Sequence, residues 1–145
     1  MDTFKFESLD IYKSANKIGD VIWELVSKWN FFEKDTMGKQ LTRSADSISL
    51  NICEGYGRFF YKDKKLFYFY ARGSLYETFE NLKKAHQRKL VSDTVFNNLK
   101  IEIQDLAVRL NNYIKSTGSN ISNKKVEEKP TSPNEMELYP ENQKN

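Results

Sequence analysis

The sequence predicts an all-α protein, an antiparallel up-down-up-down four-helix bundle over residues 1–117 followed by a disordered polar tail over 118–145. Three observations carry this. The prolines, Pro130, Pro133 and Pro140, all lie beyond residue 129. Proline breaks helix interiors, so the long proline-free stretch before them suits long helices joined by short turns. Four segments repeat apolar residues at steps of three and four, and no segment alternates with the period of two that marks a strand.

The first segment places Ile11, Ala15, Ile18, Ile22, Leu25 and Trp29 on one helical face. Ser8 is its expected N-cap, with Asp10 in the first turn. The second carries Met37, Leu41, Ala45, Ile48 and Ile52, starts near Asp35-Thr36 and ends near Gly55 or Gly57. The third runs from about Asp63 to Lys89 and carries Ala71, Leu75, Phe79 and Leu82. The fourth follows Ser92-Asp93 with Phe96, Leu99, Ile103, Leu106, Leu110 and Tyr113, and Gly118 is placed to terminate it. Short connections make successive helices antiparallel neighbours. Beyond Gly118 the chain turns to Ser, Asn, Lys, Glu and Pro, a composition that buries little.

Helices two and three each carry a polar ridge beside the apolar one. Gln40, Arg43, Ser47, Asn51, Glu54 and Arg58 form the first; Tyr70, Ser74, Glu77, Asn81, Lys84 and Arg88 form the second. A hairpin turning near Phe60 sets facing residues at numbers summing to about 120 by this register. Arg43 then meets Glu77, Ser47 meets Gly73 and Ser74, and Asn51 meets Phe69 and Tyr70. Arg43, Glu77, Asn51 and Glu54 are therefore expected to form a structural polar clamp rather than a catalytic pair, with Glu54–Arg58 also readable as a local i, i+4 pair.

Composition bounds the function. The 145 residues are 39% hydrophobic and 30% charged, which suits one domain with a core, and no stretch has the apolar length of a membrane span. Net charge is +3 overall. Through Thr117 the chain holds 19 basic and 15 acidic residues, hence +4; the tail, with four Lys against five Glu, is −1. One cysteine excludes an intramolecular disulfide, and one Cys with one His cannot build a Cys/His zinc site. Residues 1–9 show no apolar run of a signal peptide, so a cytoplasmic protein is expected.

The segment QLTRSADSISLNICEGYGR over residues 40–58 resembles the signature of the bacterial four-helix bundle proteins encoded in 23S rRNA intervening sequences. Lys62-Asp63 and Ala71-Arg72-Gly73-Ser74-Leu75-Tyr76-Glu77 resemble further elements of that family, and Phe6, Leu9 and Ala15 fit its opening. Thr42 stands where the family often has a second Arg, and Cys53 where it has Ala. The resemblance covers nearly all of residues 4–116. It implies a homo-oligomer, a barrel-like pentamer. It also implies kinship with the accessory proteins of diversity-generating retroelements, which bind nucleic acid and partner a reverse transcriptase.

No triad, carboxylate dyad or phosphate loop appears, so a non-enzyme without cofactor or metal is expected. Gly55-Tyr56-Gly57 lacks the third glycine and strand-to-helix turn of a dinucleotide site and reads as a helix end. His86 reads as a surface or core-edge histidine and Cys53 as a packed small residue. The stretch from Arg58 to Tyr70 is more informative. It interleaves seven aromatics with Arg58, Lys62, Lys64 and Lys65, the combination of stacking rings and phosphate-seeking cations that suits single-stranded nucleic acid. Core and subunit contacts are the competing use for Phe67 to Tyr70. Lys83, Lys84, Arg88 and Lys89 form a second basic cluster, which also fits a helix C-terminus. The surplus apolar surface on helix three calls for identical partners. The expected function is a non-catalytic oligomeric scaffold that binds structured RNA or DNA through these eight cations, beside a reverse transcriptase. The alternative is a protein–protein assembly module without nucleic acid.

Overall fold

The computed structural model describes residues 3–119. Among them every regular element is helical and no strand is formed. A 3-10 turn, Lys5–Ser8, leads into α1 (Asp10–Ser27). A short α2 (Phe31–Glu33) passes through a π turn, Lys34–Gly38, directly into α3 (Lys39–Tyr56). Two long helices complete the domain, α4 (Tyr61–Gln87) and α5 (Asp93–Ser116). The expected tail falls outside the described residues from position 120 onward.

The four long helices bury the stripes that the spacing predicts. Ile11, Ala15, Ile18 and Ile22 of α1 meet Leu41, Ala45, Ile48 and Ile52 of α3. Ala71, Leu75 and Leu82 of α4 and Leu99, Ile103, Leu106 and Leu110 of α5 close the same core. Each helix packs on two others, in the cyclic order α1, α3, α4, α5. Ser44 near the start of α3 meets Asn81 near the end of α4, and Tyr56 at the end of α3 meets Lys64 near the start of α4.

Helix ends differ from expectation in instructive ways. Leu9, not Ser8, occupies the N-cap of α1, because the Ser8 hydroxyl donates back to the Lys5 carbonyl within the 3-10 turn (2.7 Å). The second helical run begins at Phe31 rather than near Asp35. Asn30 and Glu33 form a reciprocal capping box there: the Glu33 amide donates to Asn30 Oδ1 (2.9 Å) and the Asn30 amide to Glu33 Oε1 (3.4 Å). The π turn that follows packs Gly38 so tightly on α1 that a Cβ there lies 2.8 Å from Val26 Cγ1. Trp29 lies just past α1 instead of on it. Its ring is buried, and its indole N–H donates to the Leu90 carbonyl (3.2 Å), tying the first connection to the last. The start and stop of α5 match expectation. Ser92 caps it by accepting from the Val95 amide (3.2 Å), and Gly118 follows its end at φ +78.

α3 and α4 pack tightly at Gly55, whereas Gly73, expected to face Ser47, stands open. A Cβ on Gly55 lies 2.7 Å from Tyr68 Cε1 and 3.0 Å from the Lys64 carbonyl. One on Gly73 meets nothing within 4 Å.

Candidate nucleic-acid interface

The first basic cluster surrounds the turn from α3 to α4. A helix leaves its last carbonyls without intrahelical donors. Lys64, one turn into α4, supplies one: Nζ donates to the Tyr56 carbonyl (2.6 Å) and lies 5.3 Å from the centre of the Tyr56 ring. Burial lowers the Lys64 pKa from its ordinary value. Arg58 is also engaged. It donates to Glu54 Oε1 (2.8 Å), and its guanidinium lies 4.4 Å over the Phe67 ring. Lys62 and Lys65 are half-buried on the first turns of α4. Phe59 and Phe60 meet edge to face at 5.1 Å, and both are exposed, with Phe59 at 86%.

Of the aromatic run Phe67 to Tyr70, Tyr68 is the core residue, packed edge-on against Tyr113 at 5.2 Å. Burial and then the neighbouring Tyr113 push its phenol well above the usual tyrosine range. Phe69 packs against the core margin under the Arg72 guanidinium (4.8 Å), while Tyr70 is half exposed and meets Phe67 edge-on at 5.6 Å.

The second cluster sits where α4 ends. Lys84, Arg88 and Lys89 are exposed; Lys83 pairs with Glu80 (2.9 Å), which it holds below the usual carboxylate range. Lys89 adopts φ 63, a left-handed conformation that ends the helix without a glycine. His86 stacks on Phe96 (4.2 Å between ring centres, 5° between planes), and its Nε2 lies 2.6 Å from Asp93 Oδ1. It fastens the end of α4 to the first turn of α5, at the core edge. Its orienting carboxylate comes from across the turn.

The structure does not bring the expected polar clamp together. Arg43 and Glu77 are both exposed, and no ion pair joins them. The α3–α4 contact runs through Ser44 and Asn81 (3.4 Å), so the ridge one position away is turned outward. Asn51 bonds within its own helix, donating to the Ser47 carbonyl (2.8 Å), and Glu54 serves Arg58. The polar junction that does form lies elsewhere. Arg109 of α5 joins Asp10 and Ser14 of α1 and Asp105 of its own helix, an arrangement that local spacing reveals only for the i, i+4 pair.

Sequence reasoning also missed a cleft of about 440 Å³ beside the first cluster. Tyr56, Tyr61, Lys64, Tyr68 and Tyr113 line it, with Gly118 at its edge. No local motif announces it, because Tyr113 arrives from α5. Among the described residues no group of His, Cys, Asp and Glu is placed to hold a metal, and no helix is long and apolar enough to cross a membrane.

No curated protein matches the chain. The family model described as 23S rRNA-intervening sequence protein matches residues 7–112, from the 3-10 turn before α1 to near the end of α5. That span contains both basic clusters and nearly all of the helical core, and the chain belongs to the 23S rRNA-intervening sequence protein family.

Proposed function

We propose that this protein is a non-catalytic scaffold that binds RNA or DNA, built as an antiparallel up-down-up-down bundle over residues 1–117 and assembled into a ring of identical subunits. The observation that supports it most is the α3–α4 turn, where cations and exposed aromatic rings occur together on one corner of the molecule. The family's association with an rRNA intervening sequence points the same way. A reverse transcriptase partner and a cytoplasmic setting belong to the same reading.

Assembly is supported by surface apolar residues. Trp23, Phe31, Phe32, Tyr76, Ile101 and Val108 are each 60% exposed or more. Repetition matters because a folded part of +4 binds a polyanion weakly, whereas a ring repeats each cluster on one rim. The two clusters are separated along α4 by about 39 Å from Lys62 to Arg88, at 1.5 Å per residue. They therefore belong to opposite rims, and one of them carries the contact.

The test is the salt dependence of binding. The logarithm of the binding constant falls with the logarithm of salt by about 0.7–0.9 per phosphate neutralised. Replacing Lys62 and Lys65 with Ala flattens that slope if the α3–α4 rim is used; replacing Lys84, Arg88 and Lys89 flattens it if the other rim is used. Lys64 stays, because it caps α3. Absence of binding at low salt, or a slope indifferent to both sets, leaves the exposed apolar residues as the functional surface and the protein as an assembly module. Light scattering showing a stable monomer at micromolar concentration removes the ring.

A further inference from the structure

We propose that the tyrosine-lined cleft between the end of α3, the start of α4 and the end of α5 is a subsite for one unpaired nucleobase of a single-stranded nucleic acid. This deepens the nucleic-acid reading and rests on it.

The lining defines the ligand. Tyrosine rings form most of the wall: Tyr68 is the buried floor, and Tyr56 and Tyr113 are half-buried beside it. Tyr61, 45% exposed, stands at the mouth. Faces of this kind take a flat ring, and the phenol oxygens offer hydrogen bonds to its edge. The cation in the wall is Lys64. An ammonium has three donors, and one is used on the Tyr56 carbonyl. The remaining donors favour an anion. Among the described residues no carboxylate lines the cleft. A nucleotide is a ligand of this kind, a flat ring carrying an anionic group.

Size agrees. A cleft of about 440 Å³ falls within the range of small-molecule sites, roughly 300–1,000 Å³, and is too small for a duplex end. A paired base keeps its faces inside the duplex stack and cannot enter. The cleft therefore selects single strands, whereas the cations alone accept any polyanion.

Gly118 bounds the cleft where α5 ends. Its φ of +78 is one that side chains rarely adopt, and a Cβ there lies 3.2 Å from Tyr61 Cβ and Cγ. The glycine allows the chain to leave α5 without displacing the ring at the mouth.

The experiment uses the full chain and a twelve-nucleotide single strand with 2-aminopurine at its centre, alongside the blunt duplex of the same sequence. Wild-type protein is expected to quench the single-strand fluorescence and to bind that strand about tenfold more tightly than the duplex in low salt. Tyr61→Ala is expected to abolish the quench and lower single-strand affinity about tenfold, the scale of one lost base–aromatic stack, while duplex affinity stays put. Tyr61→Phe, which keeps the ring, restores both. Thermal melts of both variants confirm folding. A Tyr61→Ala protein that still quenches and still prefers the single strand overturns the subsite, as does wild-type protein with equal affinity for both probes. Wild-type protein that binds neither probe overturns the nucleic-acid reading itself, and the two failures are thereby told apart.

Discussion

Gly55 and Gly73 both lie inside long helices, and alanine at the two positions is expected to move stability in opposite directions. In a helix interior Gly is less favourable than Ala by about 1 kcal/mol. At Gly73 the added methyl meets nothing within 4 Å, so Gly73→Ala collects most of that gain. At Gly55 the same methyl arrives 2.7 Å and 2.9 Å from two carbons of the Tyr68 ring and 3.0 Å from the Lys64 carbonyl. Neither can yield cheaply. Tyr68 is 1% exposed and braced by Tyr113, and the carbonyl is backbone of α4. Overpacking of this kind costs about 1–3 kcal/mol, and the backbone contact places it in the upper half of that range. Set against the propensity gain, Gly55→Ala is left destabilised by about 1–2 kcal/mol, so the two variants differ by about 2–3 kcal/mol. Urea unfolding at one fixed protein concentration measures this through the midpoint, with the slope unchanged. In melting temperature the gap is roughly 10 °C for a domain of this size. A Gly55→Ala protein as stable as wild type refutes the claim that this glycine lets α3 pack tightly on Tyr68 and the start of α4.

Other perturbations read other contacts. Trp29→Phe replaces the buried indole by a smaller ring and removes its donor to the Leu90 carbonyl, and calorimetry is expected to show a loss of about 2–3 kcal/mol from the cavity and the hydrogen bond together. Lys89→Gly relieves the left-handed backbone at the end of α4 and is expected to raise the urea midpoint by up to about 1 kcal/mol in stability. Asp46 has its pKa raised, by burial first and by Asp20 second, so the folded state disfavours its ionised form. The resulting penalty is present at neutral pH and disappears as pH falls below the carboxylate range; Asp46→Asn is therefore expected to stabilise at pH 7 and to change nothing at low pH in paired melts. Deleting residues 120–145 is expected to leave the melting transition, and the mass of the proposed oligomer, unchanged, because the described helices close one core among themselves within residues 3–119; an unfolded or dissociated product refutes that boundary.

The bundle was legible because it depends on the sum of many weak preferences. Ile11, Ala15, Ile18 and Ile22 are buried as their spacing requires, and so are Leu99, Ile103, Leu106 and Leu110. An error of one residue at a helix end changes none of that. Ser8 lost the cap of α1 to a nearer carbonyl, yet the helix begins in the same place. The start of the second run was misread for a specific reason. Its signal was the polar pair Asn30 and Glu33, three residues apart, while the apolar stripe begins only at Met37 because a π turn intervenes. The aromatic run on α4 was ambiguous for another. Residues 67 to 70 project all round a helix, and only the position of α5 decides that Tyr68 is inside.

The side-chain pairings were far less legible, and the physics explains why. One residue step rotates a helix position by about 100°. A register known to within a few residues therefore gives the right neighbours but not the right contacts. Arg43 and Glu77 were matched by such a register and point outward; Ser44 and Asn81, close by in sequence, make the contact. The basic clusters were visible as runs, but their duties were not. Lys64 and Arg58 are held by a carbonyl, a carboxylate and aromatic faces, whereas Lys84, Arg88 and Lys89 stand exposed at the far end of α4. The two ends therefore offer different chemistry to a polyanion. Under the proposed nucleic-acid reading, contact at the far end would consist of phosphate neutralisation, which salt weakens steeply and base sequence barely touches. Contact at the α3–α4 end would add ring stacking, which salt does not screen, and fixed cations would lose less side-chain freedom. A single strand engaging that end should keep measurable affinity at salt concentrations that release a duplex.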